Sequence, residues 1–63
     1  MSIDDHILFI AKQLKIYDQC DLYRRYEDVL DYLFFIAKWS GINVPSFNYM
    51  SQLIQNNRKV LLQ

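Results

Sequence analysis

Phe-Ile-Ala-Lys occurs twice in the chain, at residues 9–12 and again at residues 35–38, a separation of 26 residues. The correspondence runs wider than the tetrapeptide. Asp5 aligns with Asp31, His6 with Tyr32, Ile7 with Leu33, Leu8 with Phe34, and Ile16 with Ile42. Each copy, residues 5–16 and 31–42, runs from an aspartate through an apolar stretch and Ala-Lys to a later isoleucine. A short unit of this kind cannot cover its own apolar side and must stack on a neighbour. The repeat therefore predicts helices packed on helices in a single domain spanning residues 1–63.

Size sharpens the constraint. A chain of 63 residues buries only about 60% of its extended surface and has little interior to offer. Yet 52% of the residues are hydrophobic and 16% aromatic. Apolar surface in excess of the available core is covered by self-association or by a partner, so a homodimer or a docked subunit is expected. Formal net charge is zero, with no global pull towards nucleic acid or membrane. All seven acids lie within residues 1–31, while residues 32–63 carry Lys38, Arg58 and Lys59 and no acid. The single cysteine, Cys20, excludes an intrachain disulfide and fits a reducing compartment. The first residues are acidic rather than basic, and the longest uncharged apolar run, residues 32–37, is too short to span a bilayer. A soluble cytoplasmic protein without membrane contact is expected.

Caps and apolar spacing predict an all-α fold, a three-helix antiparallel bundle over about residues 3–15, 19–40 and 44–61. Ser2 suits the N-cap of the first helix, with Asp4 and Asp5 in its positive first turn. Ile3, Ile7, Ile10 and Leu14 form its inward stripe. Asp18 is the candidate N-cap of a long central helix, whose seam runs through Leu22, Tyr26, Val29, Leu33 and Ile36. Asp21 with Arg25, and Arg24 with Asp28, are spaced to pair one turn apart on its outer side. Gly41 ends that helix. Asn43 is the candidate cap of the third helix, where Phe47, Met50, Ile54 and Leu61 point inward with Leu53 and Val60 beside them. Tyr32, Phe34, Phe35 and Trp39 crowd the flanks that the central seam leaves open. These four, with Tyr23, are the candidate partner-interface residues, because aromatic side chains are enriched at protein–protein contacts.

The residues of a catalytic site are missing from the pattern. His6 is the lone histidine and lies one turn into a helix, a position typical of boundary residues. Cys20 sits near a helix start that would activate a thiol, but Asp18 and Asp21 flank it and oppose that effect. No nucleophile relay, glycine-rich phosphate loop or paired-cysteine metal signature is present. The protein is expected not to be an enzyme and to need neither cofactor nor metal.

One segment carries a more specific pattern. Ala37, Gly41, Ile42, Phe47 and Met50 stand at the spacing of a small helix-contact residue, a turn glycine and three core plugs. Over residues 36–54 the chain resembles the helix-turn-helix of phage and bacterial repressors. That resemblance implies that Asn43, Ser46, Asn48, Tyr49 and Gln52 would face the major groove, with Arg58 and Lys59 reaching phosphates. Phosphate neutralisation normally supplies much of the affinity for DNA, and residues 44–61 contain two cations, both at the far end. The leading expectation is therefore a small helical protein–protein interaction module or regulator. The alternative is a small helix-turn-helix DNA-binding regulator using helix 44–61.

Overall fold

The structure is a computed structural model that describes residues 1–41 and 43–63, with the side chains of Trp39 and Ser40 outside the description. The described residues form helices and no strand: α1 (Ile3–Leu14), α2 (Gln19–Arg24), α3 (Tyr26–Ser40), α4 (Phe47–Asn56) and α5 (Arg58–Leu61). The all-α class matches the expectation, but two of the three expected helices are each broken once.

α1 begins as its sequence dictates. The Asp5 backbone N–H donates to the Ser2 hydroxyl at 3.2 Å, and the Ser2 N–H donates to the Asp5 carboxylate at 3.3 Å. This reciprocal capping box satisfies two donors that the first turn would otherwise leave unpaired. Its end is less obvious from composition. Lys15 adopts a left-handed backbone (φ 58°, ψ 47°). The Lys15 N–H donates to the Lys12 carbonyl at 3.3 Å and the Ile16 N–H to the Ala11 carbonyl at 2.8 Å. Those two bonds define a Schellman ending, which here drives Ile16 into the core, where it is fully buried.

The central segment kinks at Arg25, where φ −107° and ψ 13° leave the helical region. Packing explains the break. Apart from each other, α2 packs chiefly on α4 and α3 chiefly on α1, with the bend between them. Leu22 on one side of the kink and Val29 and Leu33 on the other are all buried. The expected pairs on the outer side are exchanged: Arg24 bonds Asp21, and Arg25 reaches Asp28 at 3.3 Å. Each arginine thus pairs with an acid three residues away rather than four.

The third expected helix starts later and also breaks. Ser46, not Asn43, is the N-cap, accepting the Tyr49 N–H at 3.1 Å. Pro45 therefore precedes the cap, which leaves residues 41–46 as the link between α3 and α4. At Asn57 the backbone departs from helical geometry (φ −114°, ψ 17°), and the Asn57 side-chain amide donates to the Leu53 carbonyl at 2.8 Å. An asparagine that bonds its own backbone in this way competes with helix continuation. The new direction buries Leu61 against the core and leaves Val60 56% exposed, contrary to its expected place beside the inward stripe.

α1 is the hub, contacted by α3, α4 and α5. The core joins its Ile7, Ile10 and Ala11 to Ile16, Leu22, Val29, Leu33, Met50, Ile54 and Leu61. Among the described residues no polar or charged side chain is buried. This interior is held by apolar packing and shape.

Candidate functional site

One side of α3 closes the core, and among its described residues the other side is exposed. Val29 and Leu33 are buried, and Tyr26, Leu30 and Ile36 pack at their edge. On the remaining circumference Phe34 is 56% and Phe35 64% exposed, unusually large values for adjacent phenylalanines. Both face outward because each residue advances about 100° around a helix, which leaves Phe34 and Phe35 no way onto the Val29–Leu33 seam. Asp31 and Lys38, one turn to either side, are exposed as well.

The other candidate interface residues do not merge into one patch. Tyr32, 40% exposed, lies on the flank of α3 that meets α1. There its ring stands 6.4 Å from that of His6. It also lines a groove between the two helices with Phe9, Gln13, Leu14 and Asp28. Tyr23 is 77% exposed but belongs to α2, where it borders a separate concavity with Cys20, Arg24 and Phe47. The side chain of Trp39 lies outside the described residues. Phe9 is not among the expected interface residues, yet it is 50% exposed. The repeat held the signal for it, since Phe9 is the counterpart of Phe35.

The residues assigned to a DNA-reading helix are partly engaged within the chain. Asn43, Asn48, Gln52, Arg58 and Lys59 are exposed. Ser46 uses its hydroxyl as the α4 cap. The Tyr49 hydroxyl donates to both oxygens of the Asp4 carboxylate, at 2.8 and 3.1 Å. That bond, together with partial desolvation and the Asp4 charge, pushes the Tyr49 phenol up from its ordinary value. It also sets an acid beside the face that would have to meet phosphate. Of the five motif positions, Met50 is buried, Phe47 and Ala37 are half-buried, and Gly41 has the left-handed backbone of a turn (φ 69°). Ile42 lies outside the described residues. The link 41–46 exceeds the three or four residues usual in the motif.

Polar chemistry elsewhere is structural. Asp18 caps α2 through the Asp21 N–H at 2.8 Å, and the Asp21 carboxylate accepts the Tyr17 N–H at 3.1 Å. The Tyr17 bond first, and then the Arg24 guanidinium, hold the Asp21 carboxyl below the usual aspartate range. Among the described residues no three or more His, Cys, Asp or Glu side chains gather where they could hold a metal ion. No described helix is long and apolar enough to cross a membrane.

Compared with known proteins, the chain matches no family model, no curated relative and no solved structure.

Proposed function

We propose that the protein is a small helical interaction module or regulator that acts by binding, as a homodimer or as a subunit docked on a larger protein through α3. The observation that carries this reading is the exposure of Phe34 and Phe35 in a chain whose core is already closed. Complete burial of a phenylalanine side chain is worth roughly 1.5–3 kcal/mol, and Phe34 at 56% and Phe35 at 64% exposure realise only part of it. A partner surface that covers the two rings recovers the remainder, which the chain's own Val29–Leu33 seam cannot.

Phe34→Ser and Phe35→Ser are the direct test. Both should keep the helical circular-dichroism spectrum and a cooperative melt while abolishing association, followed by sedimentation and by pull-down with tagged protein. A wild-type chain that sediments as a monomer at micromolar concentration and recovers no partner would overturn the proposal.

A DNA-binding regulator using α4 and α5 stands second, supported by the outward-facing Asn48 and Gln52. Mobility shift on random duplex at low salt is its test, since nonspecific affinity emerges there first. Retention that Asn48→Ala weakens for one sequence over another would promote this reading; no retention removes it.

A further inference from the structure

We propose that the partner on α3 is a second copy of this chain, with the two α3 helices antiparallel and the two-fold axis passing between Phe34 and Phe35. The proposal deepens the protein-contact reading above and rests on it. Glu27, Asp31, Phe34 and Lys38 recur at spacings of four, three and four, which places them in one stripe along α3. All four are exposed, and Phe35 borders the stripe. The buried residues Val29 and Leu33 lie on the other side of the helix.

In an antiparallel pair related by a two-fold axis, residues equally distant from the axis on either side face each other across it. With the axis between residues 34 and 35, Phe34 meets Phe35 of the second copy. Asp31 then meets Lys38 of the second copy, and the symmetry repeats that pair at the other end. An acid and a base equidistant from an exposed aromatic pair are thus complementary to themselves. This self-complementarity selects a second copy over an unrelated partner. Among the described residues the ion pairs within the chain join Asp21 to Arg24 and Asp28 to Arg25. Asp31 and Lys38 take part in neither. Zero net charge removes long-range repulsion between copies. The 15 residues of α3 span about 22 Å. One helix face of that length makes a small interface, which points to a reversible dimer rather than an obligate one.

Sedimentation equilibrium on the full chain tests the register. Wild type should show a concentration-dependent monomer–dimer equilibrium. Asp31→Lys or Lys38→Asp alone sets like charges against each other at both ends and should weaken the dimer about tenfold. The double exchange, Asp31→Lys with Lys38→Asp, should restore wild-type affinity, because each copy again offers one acid and one base. Phe34→Ser should abolish dimerisation. Circular dichroism checks that each variant folds, and Asp31→Asn with Lys38→Gln serves where a reversal does not. A dimer that Phe34→Ser destroys but neither charge reversal alters would overturn this register and leave the contact reading standing. A wild-type monomer up to ~1 mM overturns the second copy. Loss of partner capture by Phe34→Ser in the pull-down would then decide the broader reading separately.

Discussion

Lys15 and Gly41 occupy equivalent places in the two repeat copies, and both end a helix with a left-handed backbone. In each case the backbone N–H bonds an alanine carbonyl, Ala11 in the first copy and Ala37 in the second. Glycine adopts that conformation freely, whereas lysine carries a Cβ that opposes it. Lys15→Gly should therefore raise stability by about 1 kcal/mol and Gly41→Ala lower it by a similar amount. Thermal melts of the two variants would show opposite shifts. A Cβ at Gly41 meets no other atom within 4 Å, so its penalty is one of backbone conformation alone. Asp21 offers a pH test. Its charged form is favoured on folding, so the unfolded chain takes up the proton first as pH falls. The resulting stability is complete above the ordinary aspartate value of about 4. It disappears as pH drops towards the lower folded value. Asp21→Asn should flatten the melting temperature in that acid window. Tyr49 has the opposite sign, since its folded pKa is raised. Its contribution is complete below about pH 10 and is lost as pH rises through the folded value. Tyr49→Phe should reduce the alkaline fall in stability. The Tyr49–Asp4 bond was not legible beforehand, because it joins residues 45 positions apart.

Among the elements, α2 is the one that cannot stand alone. Six residues are too few for a stable isolated helix. Leu22, fully buried, is what docks it on α3 and α4. Leu22→Ala should cost about 2–5 kcal/mol. A domain of this length holds roughly 3–9 kcal/mol in all. Chemical denaturation should therefore show a clearly lowered midpoint, with the cooperative transition lost where the cost reaches the total. The caps that proved correct, Ser2 and Asp18, are readable because a short polar side chain beside its own helix acts locally. Asn43 misled for a related reason. Two sites on one short link, Asn43 and Ser46, offer capping side chains, and local chemistry alone does not choose between them. The breaks at Arg25 and Asn57 are of another kind. Arg25 carries no helix-breaking side chain; the chain bends there because α2 and α3 pack against different neighbours.

At the scale of the whole molecule, the protein is an α1-centred cluster that exposes Phe34 and Phe35 on the outer side of α3. Its interior contains no buried polar network among the described residues, so its core resists substitution through volume and shape. Hydrophobic spacing and local caps gave the class, the inward stripes of α1 and α3, and the starts of α1 and α2, since these follow from periods of three and four and from bonds within one turn. Phe34 and Phe35 could be placed outside the main seam from the same periodicity. The division of the aromatics into separate surfaces could not. Tyr32 belongs to the α1 groove and Tyr23 to α2 because of the bend at Arg25, and Asn57 sends Val60 outward while Leu61 goes in. Sequence alone determined which residues want burial and where helices can start. Tertiary packing decided where the helices bend and which rings remain in water, because that choice depends on neighbours distant along the chain competing for one small core.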